Sequence, residues 1–208
     1  MGYSKKAAQE VSDFKSKYMP AGINENVRID KVEVKTSPQG NKMFDITFIN
    51  ESGQTAVHTE WEPKMAPWMK DKSDLERNQA RQYKKMMQIL LCYYKDEQIN
   101  FEGESFAEFA NWIATMINAA DKSKLLRLKL VYNKDGYTTL PTAVDDPFIE
   151  PVRDLGDGDE YKVKINAKDN IVRPVVADKE TKNENPFMAT TPEVATAAFS
   201  SPTSDLPF

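Results

Sequence analysis

Apolar and polar positions alternate most cleanly between Val27 and Lys35, where Val27, Ile29, Val32 and Val34 are separated by charged residues. Period two predicts a half-buried strand, and the slip in phase at Asp30-Lys31 predicts a bulge that bends it. Ser37-Pro38-Gln39-Gly40-Asn41 is turn chemistry, because proline presets φ and glycine supplies φ > 0. A second strand follows over Lys42 to Asn50, with Phe44, Ile46 and Phe48 on one face, and a third over Gln54 to Trp61. These three strands predict an antiparallel meander.

After an irregular link holding Pro63, Pro67 and Trp68, the period changes from two to near four. Leu75, Ala80, Tyr83, Met87, Leu90, Leu91 and Tyr94 predict a helix from Asp74 to about Lys95. Ser105 followed by Glu108 has capping-box spacing and predicts the start of a second helix with a Phe106, Phe109, Ala110, Ile113 and Ile117 stripe. Strand pattern returns at Leu126, Leu128, Leu130 and Tyr132. Asn133-Lys134-Asp135-Gly136 makes a hairpin turn into Tyr137 to Leu140. Three strands, a helical insertion at about 73–120 and two more strands is the order of a mainly β, α+β chain. It predicts a five-stranded OB-fold barrel over residues 26–150, which a bulged first strand helps to close.

The flanks read differently. Ala8, Val11, Phe14 and Tyr18 predict a short N-terminal helix or arm within residues 1–25, ending before Pro20. Tyr161, Val163 and Ile165, with Ile171 to Val176, predict an appended hairpin within 151–180. Residues 181–208, rich in Asn, Thr, Ser, Ala and Pro, predict a disordered tail. Asp146-Pro147-Phe148 is expected to pack on the body.

Composition narrows the chemistry. The 208 residues carry one cysteine, Cys92, and one histidine, His58, so neither a disulfide framework nor a zinc site is expected. Cys92 lies in an apolar run and reads as inert packing. His58 reads as a half-exposed sheet residue. Met86, Met87, Leu90, Leu91 and Cys92 form a core face that alternatively seams a homodimer. No apolar run reaches about 18 residues, and no secretory signal is visible at the N-terminus, so a cytoplasmic protein with no membrane partner is expected. A nuclease using Asp45, Glu60 and Glu62 is disfavoured, since no carboxylate cluster has a recognisable spacing and no Gly-rich phosphate loop occurs. No catalytic residue, metal or cofactor is predicted. Through position 145 the chain has 21 basic against 20 acidic residues, and after it 7 against 12. A near-neutral body with an acidic end does not suit a duplex-DNA binder driven by bulk charge.

The sequence closes with Ser204-Asp205-Leu206-Pro207-Phe208. An acidic residue, an aliphatic, a proline and a phenylalanine in a flexible segment suit docking into a small apolar pocket ringed by cations. This tip resembles that of bacterial and bacteriophage single-stranded DNA-binding proteins. The segment from Val27 to Trp61 and the run Leu128 to Tyr137 are similar to the strands of the phage-type proteins. The resemblance implies a non-catalytic protein, in the bacterial host cytoplasm, that coats exposed strands during replication or recombination. It also implies recruitment of a polymerase, helicase, primase or clamp through Asp205, Leu206, Pro207 and Phe208. The helical insertion departs from the plain bacterial form. Single-strand binding needs cations along the phosphates and aromatic faces under the bases. The candidate cations are Arg28, Lys31, Lys35, Lys42, Arg127, Lys129 and Lys134. The candidate stacking residues are Trp61, Trp68, Tyr132 and Tyr137. Arg127 and Lys129 are expected to point outward together, opposite Leu126, Leu128 and Leu130. The alternative is a replication accessory module that docks a clamp or polymerase through the tip without DNA affinity of its own.

Overall fold

The computed structural model describes residues 16–174. The sequence's period-two segments are strands: β1 (Gly22–Thr36), β2 (Lys42–Ile49), β3 (Thr55–Trp61) and β4 (Leu126–Tyr132). Two short strands follow, β5 (Thr138–Thr139) and β6 (Ile149–Pro151), the second of which has no alternation to announce it. All pairings between these strands are antiparallel, in the order β3-β2-β1-β4-β5, with β6 also on β4. With helices α1 (Lys72–Leu90) and α2 (Phe106–Ala119) between β3 and β4, the architecture is α+β.

β1 is long because it serves two partners. Gly22 to Val27 pair with β4, and Arg28 to Thr36 pair with β2. Its register shifts between Asn24 and Val27 and again between Ile29 and Lys31, the second at the predicted bulge. Asn26 adopts φ 54°, a left-handed conformation that asparagine tolerates better than most residues. These kinks let one strand leave β4 and join β2. The turn into β2 is closed by the Ser37 carbonyl, which accepts from Gly40 N–H at 2.8 Å, while Gly40 takes φ 79°.

Phe44, Ile46 and Phe48 of β2 are fully buried, and Leu126, Leu128 and Leu130 of β4 face the same core. The helices cover it. Ser105 and Glu108 form the predicted capping box at the start of α2. Phe44 stacks on Phe106, and Tyr83, Phe101, Phe109 and Trp112 extend the aromatic cluster. Asn118 of α2 accepts from Val32 N–H at 3.0 Å and donates to Val32 C=O at 2.9 Å. Its carboxamide thereby occupies an edge position of β1 that would otherwise be open to another strand. Helix α1 starts at the Asp71 cap and ends at Leu90, before the predicted Lys95. There the chain turns to bury Cys92 and to let Tyr94 Oη donate to Met116 C=O at 2.8 Å. Met86 and Leu90 are core residues, as expected, while Leu91 is exposed. Burial pushes the Cys92 thiol up to about 12, so it is inert at neutral pH. Phe148 is fully buried, so Asp146-Pro147-Phe148 does pack on the body.

Backbone pairing runs from β3 to β5 and does not close into a ring among the described residues, so an open antiparallel sheet stands where a barrel was expected. β3 and β5 meet through side chains instead, His58 Nδ1 lying 3.0 Å from Thr139 Oγ1. Ser16 to Tyr18 are not helical; Tyr18 makes a parallel bridge with Thr55, so the end of the predicted N-terminal helix is an added strip beside β3. Backbone hydrogen bonds hold the strip there: Thr55 N–H donates to Lys17 C=O at 2.9 Å, and Met19 N–H to Thr55 C=O at 3.0 Å. The remainder of that helix lies outside the described residues. The predicted hairpin at 161–165 and 171–176 forms no ladder within its described part, residues 161–165 and 171–174. That stretch is a strap over β4: Glu150 accepts from Val163 N–H at 2.7 Å, Tyr132 N–H donates to Asn170 C=O at 2.7 Å, and Val163 is fully buried. Polar groups of β4 and β6 hold it, so it needs no partner strand. The predicted tail, residues 181–208, lies outside the described residues. No helix among the described residues is long and apolar enough to cross a membrane.

Candidate nucleic-acid interface

Side chains alternate across a strand, so burying Phe44, Ile46 and Phe48 turns Met43, Asp45, Thr47 and Ile49 outward. Register then fixes the rows across this outer face. Lys35, Met43 and Trp61 form one row; Glu33, Asp45 and Thr59 the next; Lys31, Thr47 and Val57 a third; Arg28, Ile49 and Thr55 a fourth. The face thus has a charged β1 margin, a mixed centre of Met43, Asp45, Thr47 and Ile49, and Trp61 and Val57 each 49% exposed on β3.

The cations of the margin are partly neutralised. Lys31 lies 3.0 Å from Glu33, and Lys35 lies 2.8 Å from Asp45 and 3.3 Å from Glu33. Hydrogen bonds to Asp45 and then Glu33 hold the Lys35 ammonium above the ordinary lysine range, so it remains charged. Exposed pairs such as Lys31–Glu33 are worth little to the fold. Arg28 is exposed on the same face, Lys42 is exposed at the start of β2 in phase with Phe44 and so on the opposite face, and Lys134 is exposed at the β4–β5 turn.

That turn completes the site. Asn133 Oδ1 accepts from the N–H groups of Asp135 and Tyr137, and Gly136 takes φ 78°. The rigid turn presents Tyr137, 70% exposed, toward β3. Between the turn, β3 and the N-terminal strip lies a groove of about 600 Å³, lined by Tyr18, Val57, Thr59, Tyr132, Tyr137 and Arg173 among others. Thr59 links the groove to Trp61, its neighbour two residues along the same face of β3.

Of the predicted residues, the structure gathers Arg28, Lys31, Lys35 and Trp61 on the outer face and Tyr132 and Tyr137 in the adjoining groove, with Lys134 on the turn beside it, while Lys42 falls on the other face of β2. Trp68, 71% exposed, stands apart in the link before α1. Lys129 and Arg127 leave the site. Lys129 is 1% exposed and donates to Asp169 at 2.9 Å and to Lys164 C=O at 3.0 Å. Arg127 pairs with Glu25 and lies over the Tyr161 ring, 4.5 Å from its centroid. The strap covers the face of β4 that alternation alone would leave in water. Asp205, Leu206, Pro207 and Phe208 lie outside the described residues.

Tyr18, Val57 and Arg173 join the groove without having been predicted. Tyr18 sits in a helical pattern, and only Pro20 behind it signals extended chain. Val57 carries no charge or ring, and Arg173 arrives through the strap, which no local pattern shows.

His58 is buried and not half-exposed. Its Nε2 lies 2.6 Å from Glu60 Oε1, which also accepts from Lys85 Nζ at 2.6 Å, while Gln82 donates to Glu60 Oε2 at 2.8 Å. Burial opposes ionisation of Glu60. The hydrogen bond and attraction of His58, the charge on Lys85 and the Gln82 hydrogen bond outweigh it and hold the carboxyl at about 2. This cluster fastens α1 to β3 where β3 faces β5.

No family model matches this sequence, and no curated protein matches it either.

Proposed function

We propose that the chain is a single-stranded DNA-binding protein of the bacteriophage type, built on an OB-like body. The strand order, the helices between β3 and β4, the doubly kinked β1 and the approach of β5 to β3 support the body's assignment. One observation carries the function: Trp61, Tyr137 and Tyr18 stand exposed along a single β surface and groove bordered by Arg28, Lys31 and Lys35. Bases stack on aromatic faces whatever their identity, while the cations follow the phosphates. Such a surface favours unpaired strands of any sequence over a duplex, whose bases are already stacked.

The tip Asp205-Leu206-Pro207-Phe208 acts separately in this reading, docking a polymerase, helicase, primase or clamp in replication or recombination. Deleting residues 200–208 is expected to leave oligo-dT affinity unchanged or tighter, and to abolish capture of such a replication protein in a pull-down. Loss of oligo-dT binding on this deletion would contradict the division of labour.

A further inference from the structure

We infer that helix α1 carries an extension of the same DNA track, with Arg77 and Arg81 receiving the sugar-phosphate backbone of an unpaired strand as it leaves the end of β3. The inference rests on the single-strand reading above and assigns a task to the helical insertion.

Arg77, Arg81 and Lys85 recur every four residues and share one side of the helix. Lys85 fixes where that side lies, because its ammonium sits 2.6 Å from Glu60 on β3. Gln82 confirms the contact, donating to the backbone carbonyl of Trp61 at 3.1 Å. The row therefore starts at the end of β3, where Lys85 is held by Glu60 on the sheet face opposite the Trp61 ring, and runs toward the start of α1. Trp68 stands 71% exposed in the link that enters the same helix.

Arg77 and Arg81 are exposed, so they add nothing to the core. Arg77 has only its own helix's Asp74, at 3.3 Å, and Arg81 makes no ion pair among the described residues. Like charges four residues apart on a helix repel and destabilise it. Arg81 has such a neighbour on each side, Arg77 and Lys85, and no paired acid among the described residues to offset them. An external polyanion supplies what the fold does not. Arginine's planar fork suits phosphate oxygens.

The test is fluorescence anisotropy of labelled oligo-dT on the full chain, at several salt concentrations, using a long oligonucleotide and the shortest one the wild type binds. Arg77→Gln with Arg81→Gln keeps good helix formers at exposed positions, so the fold is retained. The double variant is expected to bind the short oligonucleotide as the wild type does. On the long one its slope of log affinity against log salt falls by about 1.4, roughly 0.7 for each phosphate no longer neutralised. Arg77→Lys with Arg81→Lys keeps the charge and restores the slope. Wild-type binding with an unchanged slope in the glutamine variant overturns the α1 track alone. Failure of the wild type to bind either oligonucleotide overturns the single-strand reading and the track together.

Discussion

Replacing Trp61 and Tyr137 together by alanine weakens oligo-dT binding by about 2–6 kcal/mol, a loss of roughly thirtyfold to twenty-thousandfold, because each base–aromatic stack contributes about 1–3 kcal/mol. Both rings are about half exposed or more, so removing them costs the fold little. Thermal melting of the double variant should therefore track the wild type while its anisotropy titration does not. Phenylalanine at both positions keeps a π-face and retains most of the affinity. An alanine variant that binds within a factor of about three of the wild type would show that bases do not rest on this surface.

The second large effect is on stability. Glu60→Ala leaves the Lys85 ammonium and His58 facing a buried site without their carboxylate. Breaking one partner of a buried pair costs about 3–5 kcal/mol. For a chain of this size that corresponds to a fall in Tm of roughly 6–20 °C. The same carboxyl sets an acid limb. Its folded value of about 2 lies below the ordinary 4.5, so its contribution is complete above pH 4.5 and disappears as pH falls toward 2. Thermal melts from neutral pH down to this acid limit should show the gap between wild type and Glu60→Ala narrowing over that window. A constant gap would mean that Glu60 is not held ionised by its neighbours.

The strands and the second helix are legible in the sequence because local pattern and tertiary environment agree there. The β2 alternation that buries Phe44, Ile46 and Phe48 also exposes the row containing Trp61, so one periodicity yields both core and site. Ser105 and Glu108 form a local device whose spacing alone announces it. Where long-range contacts decide, the pattern misleads. Lys129 looks like an outward cation, yet it is buried because Asp169, forty residues later, arrives to pair with it. His58 looks half exposed, yet α1 and β5 close over it with Glu60, Lys85 and Thr139. Tyr18 looks helical, yet it bridges Thr55 and lines the groove. Asp169, Thr139 and Thr55 all lie far along the chain from the residues they place, beyond any periodicity window.

Whether the outer β face and its tyrosine groove hold unpaired nucleotides is decided by titrating labelled oligo-dT at two salt concentrations, with single-stranded and duplex competitors. The expected result is binding that weakens as salt rises, displacement by unlabelled single strands of unrelated sequence, and little displacement by duplex. Absence of binding at low salt, or equal displacement by duplex, would refute that role for the face.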